Sequence, residues 1–85
     1  MFKTIDFSDD SDEEDGLLSA LRRLRNEIAR ELKVPAYVVF SNATLFDMAE
    51  RRPTTLEEFR EVSGIGEVKA SRYGEQFLEE IAKWI

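Results

Sequence analysis

Three groups of residues in this 85-residue chain have types and spacing that could do chemistry. The first is Gly64-Ile65-Gly66, followed by Lys69 and Arg72 at the start of a predicted helix. A Gly-x-Gly turn at a helix N-terminus presents backbone N–H groups to a phosphate, or else lets two helices turn tightly and pack. Glu67 comes directly after Gly66. It suits the positive end of the helix dipole, but it also stands where a phosphate would sit and repels it, so the residues favour a structural turn. The second group is a run of cations, Arg22, Arg23, Arg30 and Lys33, with a further pair at Arg51–Arg52. The third is Asp47 and Glu50, whose spacing lets them face one another on a helix, although such pairs usually form a solvated face. Histidine and cysteine are absent. That removes the usual nucleophile–base pairs and the usual zinc ligands. No catalytic residue, metal or cofactor is expected of this chain alone.

The elements that must position these residues are helical. Leu17, Leu21, Leu24, Ile28 and Leu32 recur at three- and four-residue spacing and share one side of a helix. With Leu21 at zero, Arg22, Asn26, Lys33, Arg30 and Arg23 occupy a face from roughly 100° to 200°, and Glu27 and Glu31 take the next sector. Arg25 falls at about 40°, inside the apolar stripe, which predicts bonds to protein groups at the core edge. Pro35 is expected to end this helix. "PAYVVF" reads as a short helical turn or a buried connector, since a strand there has nothing to pair with. Ser41 or Asn42 caps the next helix, which stops at Arg51-Arg52-Pro53. Thr55 and Glu58 form a capping box ahead of Leu56, Phe59 and Val62. A last helix is predicted from the Gly64–Gly66 turn to the end, on Ala70, Tyr73, Phe77, Ile81, Trp84 and Ile85. Gly74 interrupts that stripe, and close approach of a neighbouring helix would compensate its cost of about 1 kcal/mol. The expectation is a small all-α domain, a compact bundle of about five helices.

The net charge of −6 would argue against a nucleic-acid partner, but its distribution alters that inference. Residues 1–15, "MFKTIDFSDDSDEED", carry the entire excess, and residues 16–85 balance acids against bases. The chain is therefore read as an acidic flexible tail or linker over 1–15 and a neutral helical domain over 16–85. Phe2, Ile5 and Phe7 leave a second reading of the tail open: an acidic-hydrophobic segment that binds a partner or mimics nucleic acid. No apolar run approaches the roughly 18–20 residues of a membrane span, and the N-terminus lacks the basic-then-apolar order of a secretory signal. A cytoplasmic monomer without membrane contact is expected.

Two resemblances add to this reading. Phe59, Val62, Gly64, Ile65, Gly66, Ala70 and Tyr73 match the spacing of a helix-hairpin-helix unit, whose amides grip phosphates without reading sequence. More broadly, residues 21–78 resemble the HRDC domain, the helicase-and-RNase-D C-terminal module of RecQ-type DNA helicases. The matching pieces are "LRRLRNEIARE", "VPAYVVFSNATLFDMA", "RRPTTLEEFREVSGIG" and "SRYGEQFLEEI". The resemblance implies an HRDC-like bundle with a helix-hairpin-helix-like turn before the last helix, attached to a longer ATP-dependent helicase whose motor motifs are not in this chain. It also implies an auxiliary role, weak binding of single-stranded or branched DNA that tunes substrate choice in repair and recombination, in the bacterial nucleoid or a eukaryotic nucleus.

In RecQ-type members an aromatic in the "P-x-Y" element, with nearby bases, is associated with DNA contact, and that role maps onto Tyr37. Stacking on an exposed ring is worth about 1–3 kcal/mol per base, and neighbouring cations hold the backbone. The candidate nucleic-acid-binding residues are therefore Tyr37, Lys33, Arg30, Arg22 and Arg23, with Lys69 and Arg72 beside the hairpin. Against this stands a reading in which Tyr37 packs with Val38 and Phe40 and the cations are solvated charge. The corresponding alternative function is a protein-interaction or intramolecular regulatory domain that contacts the helicase core or another protein. A ribonuclease D-type parent is a third.

Overall fold

The computed structural model describes residues 16–85, and the tail expected over residues 1–15 lies outside the described residues. The apolar stripe of the first helix is realised in α1 (Gly16–Leu32), which buries Leu17, Leu21 and Ile28. The helix ends before Pro35. Lys33 takes a left-handed conformation (φ 60°), its N–H donates to the Arg30 carbonyl at 3.2 Å, and the Val34 N–H donates to the Ala29 carbonyl at 3.0 Å. Such a left-handed closure satisfies the last carbonyls of the helix. Two expectations shift as a result. Lys33 sits in a turn instead of on the basic helical face, and Leu32 is half exposed instead of joining the core.

The "PAYVVF" segment is a single helical turn, α2 (Ala36–Val39), followed by Phe40 in extended conformation. Ser41 then caps α3 (Asn42–Arg51), its hydroxyl accepting the Thr44 N–H at 3.1 Å. α3 closes on Arg52, also left-handed (φ 47°), with Pro53 behind it. Thr55 caps α4 (Leu56–Arg60) by accepting the Glu58 N–H at 3.1 Å. The reciprocal half of the expected capping box is shared with the residue before the cap. The Glu58 carboxylate accepts from the N–H (2.7 Å) and hydroxyl (3.1 Å) of Thr54, and the Thr55 N–H adds a weaker contribution. Those bonds, the Thr54 N–H foremost, hold its pKa below the usual glutamate value.

α5 (Glu67–Ala82) buries Ala70, Tyr73, Phe77 and Ile81 but stops three residues short of the predicted end. Trp84 and Ile85 are therefore exposed past the helix. The Trp84 ring lies so close to Gly16 that a Cβ there would come within 2.6 Å of it, and the Trp84 carbonyl accepts from Arg52 at 3.3 Å. The chain end is thus tied to the start of α1 and the end of α3.

The core forms around Phe40. Its ring meets Phe77 at 5.0 Å, Tyr73 at 5.6 Å and Phe59 at 6.1 Å, each edge-on. Edge-to-face pairs of this kind add about 0.5–1.5 kcal/mol each beyond the area they bury. α1 packs on α2, α3 and α5, while α4 packs on α5. The close approach expected at Gly74 is present, with a Leu56 methyl 2.6 Å from where a Cβ would stand. No strand occurs among the described residues, and none of their helices is long and apolar enough to cross a membrane.

Gly64 has φ +83°, and a Cβ there would fall 2.5 Å from the hydroxyl of buried Thr44. A side chain at this position combines a left-handed backbone with a contact that cannot relax cheaply, so Gly64→Ala is expected to cost about 1–3 kcal/mol. Urea unfolding should show a lower midpoint at unchanged slope, and an unchanged midpoint would mean that the turn tolerates a side chain.

Candidate nucleic-acid interface

α2 is one turn long, so two of its residues face inward and two outward. Val39 is buried and Ala36 partly so, and Tyr37, about 160° from Val39 around the turn, projects outward with 71% of its surface exposed. Exposure excludes the packed alternative for this ring. Lys33, in the left-handed turn after α1, precedes it by four residues and is exposed, as are Arg30 and Arg23, while Arg22 is half buried. None of these four cations pairs with a carboxylate among the described residues.

Beside Tyr37 lies an open groove of about 260 Å³ lined by Arg25, Ala36, Tyr37, Ser41 and Asn42. Arg25, expected to bond at the core edge, is 8% exposed and does so. Its Nη1 donates to the Phe40 carbonyl at 3.2 Å and to Asn42 Oδ1 at 2.8 Å, and its Nε donates to Asn26 Oδ1 at 3.2 Å. Burial, and secondarily the charge of Arg22, lower its pKa from the ordinary arginine value, and an arginine side chain stays charged in a protein. The helical angle marked Arg25 as a bonded residue; its place in the same groove as Tyr37 had no signal in the sequence.

The two other predicted site residues belong to α5 and do not line this groove. Lys69 is half buried, with its ammonium 5.8 Å from the centroid of the Phe40 ring, so it serves the core as a cation over an aromatic face. Arg72 is exposed. Of the Arg51–Arg52 pair, Arg51 bonds Asp47 and Arg52 bonds the Trp84 carbonyl.

The hairpin is held from both sides by contacts within the domain. Asp47 does not act with Glu50. Its carboxylate accepts from the Ser63 N–H and from Arg51 Nε, both at 2.9 Å, and fastens the turn to α3. Glu67 is the first residue of α5 and pairs with Arg60 at 3.5 Å while remaining exposed. Ile65, between the two glycines, is buried in the core. This geometry supports a turn that shapes the domain. No group of three or more acidic, histidine or cysteine residues that could hold a metal occurs among the described residues.

Comparison with known proteins places this arrangement in a family. The HRDC domain model matches residues 14–81. The chain is 45% identical over 69 residues to the ATP-dependent DNA helicase RecQ of Bacillus subtilis, covering 81% of this chain and 12% of that protein. It is 45% identical over 67 residues to the ATP-dependent DNA helicase Q-like 4B of Arabidopsis thaliana, covering 76% of this chain and 6% of that protein. Among solved structures, D. radiodurans RecQ HRDC domain 3 superposes with a TM-score of 0.76 at 48% identity, covering 79% of this chain and 88% of that one. The chain thus spans about a tenth or less of the length of these helicases.

The Ser63 N–H, ahead of Arg51, holds the folded pKa of Asp47 below its ordinary 3.8. A depressed carboxylate pKa contributes stability that is fully present above the unfolded value and is lost as pH falls through the folded one. Asp47→Asn should therefore lower the melting temperature near neutrality and flatten its decline below about pH 4. Melting curves for both proteins between about pH 2 and about pH 7 check this, and parallel curves would show that the strut carries no ionic stabilisation.

Proposed function

The chain belongs to the HRDC domain family, and on that premise we propose that it is an accessory nucleic-acid-binding module of a RecQ-like, ATP-dependent DNA helicase. It holds single-stranded or branched DNA weakly and biases which structures the motor engages during repair and recombination, beside DNA in a nucleoid or nucleus. Residues 16–85 are the working unit.

The observation that carries this reading is the outward-facing ring of Tyr37, with Lys33 and Arg30 exposed nearby and unpaired with carboxylates among the described residues. An exposed aromatic offers a stacking platform to any base, and cations around it meet the backbone. Arg22 and Arg23 extend the basic surface along α1, and Arg72 is a peripheral contributor. Lys69 has the weakest case because its ammonium already faces Phe40. The domain as a whole is neutral, so few phosphates are engaged and affinity is modest and salt-sensitive.

One feature favours a second reading, a contact with the helicase core or another protein. An open depression of about 580 Å³ runs along α5 and α4, with Leu56, Ala70, Leu78 and Ala82 as its apolar lining.

Titration of a labelled single strand at low salt separates the two readings. The chain is expected to bind, with a log–log salt slope of about −0.7 per phosphate contacted. Tyr37→Ala should weaken binding roughly 5- to 150-fold, the equivalent of one stacked base, while Tyr37→Phe retains it. No binding by the unaltered chain at high concentration would overturn the proposal in favour of the protein contact. Equal affinity of Tyr37→Ala would remove the stacking role.

A further inference from the structure

We infer that the groove beside Tyr37 seats one nucleotide unit of a single strand, with Arg25 holding the backbone phosphate next to the base stacked on Tyr37. This rests on the nucleic-acid reading above and adds a residue that reading does not use.

Arg25 is more than nine-tenths buried, yet no carboxylate lies within ion-pair distance of it among the described residues. Every acceptor it uses is neutral: the Phe40 carbonyl, Asn42 Oδ1 and Asn26 Oδ1. Its charge is therefore solvated by protein dipoles but not neutralised, a state that costs free energy and that an incoming anion relieves. Nε and Nη1 make all these bonds, and Nη2 makes none among the described residues. Nη2 is not sealed in either, since no buried side-chain nitrogen or oxygen lacks a partner. The guanidinium is thus locked in orientation by two of its nitrogens while the third keeps two N–H donors for a ligand. Locking the fork in advance reduces the entropy lost when an oxyanion binds it.

The surroundings suit a phosphodiester. No aspartate or glutamate lines the groove, and Tyr37 forms one wall with its ring exposed. Asn42 adds an amide whose oxygen is turned to Arg25. The space is too small for a folded partner and fits a sugar–phosphate unit beside a stacked base.

Asn42→Asp tests the seat without removing any bond. It puts a carboxylate oxygen where the amide oxygen now lies, 2.8 Å from Nη1, and neutralises Arg25 in place. In the 85-residue chain this variant should melt no lower than the unaltered protein. Its affinity for a labelled oligothymidylate should fall several-fold, and its log–log salt slope should become shallower by about 0.7, one phosphate contact. Lys83→Gln, an equal charge change just past the exposed end of α5, should leave the slope unchanged. Arg25→Met, checked for folding by circular dichroism and melting, should shallow the slope by the same single contact. Combined with Asn42→Asp it should lose no more than either variant alone.

Unchanged affinity and slope in Asn42→Asp, while Tyr37→Ala still weakens binding, would overturn the seat and leave the nucleic-acid reading standing. Additive losses in the double variant would overturn it as well, by showing that the new carboxylate repels the strand independently of Arg25. Absence of binding by the unaltered chain would remove both.

Discussion

The placement of the Phe40 ring is the constraint on which the other features of this domain depend. Phe40 follows a single helical turn and adopts an extended backbone that drives its side chain inward, where Phe59 of α4 and Tyr73 and Phe77 of α5 meet it edge-on. Its carbonyl is held by Arg25 of α1, and Lys69 lies over its ring. Three helices, α1, α4 and α5, are thus registered against one residue. In so small a domain the core is thin, and a single well-seated aromatic carries a large share of the cooperativity.

The same anchor sets the surface. With Val39 and Phe40 drawn inward, the geometry of one helical turn leaves Tyr37 and Val38 outside. Arg25, which bonds the Phe40 carbonyl, and Tyr37 line the same groove. Core packing and the candidate interface are therefore two sides of one short segment. Changes that loosen Phe40 will disturb Tyr37 as well, so binding measurements on core variants report on both.

The hairpin shows how a motif and its use can separate. Gly64 is required by its positive φ and by Thr44, Ile65 points into the core, and Asp47 and Arg60 hold the flanks. A turn so occupied with internal contacts works as a joint between α4 and α5. The carboxylate of Glu67 at the head of α5 adds charge of the wrong sign for a phosphate. The segment helps to identify the fold while offering little to a ligand.

Much of the architecture was legible along the chain because it depends on local physics. The stripe of α1, the caps at Ser41 and Thr55, the stop at Arg52–Pro53, the glycine turn and the close approach at Gly74 all follow from neighbours within a few residues. The misjudged points are those where a non-local or end effect intervenes. Helix periodicity extended α1 through Lys33 and α5 through Ile85, but left-handed closure and the docking of Trp84 on Gly16 end them earlier. Asp47 read as part of a solvated face, yet besides Arg51 it also holds an amide sixteen residues away. Sequence by itself determined the helical bundle, the family and the neutral charge of residues 16–85, because periodicity, capping chemistry and composition are properties of the chain. Only the tertiary structure decided that Tyr37 faces solvent, that Lys69 faces the core, and that Arg25 shares a groove with Tyr37. Those outcomes depend on which side of a short turn the packed core claims, and the core is assembled from residues far apart in the chain.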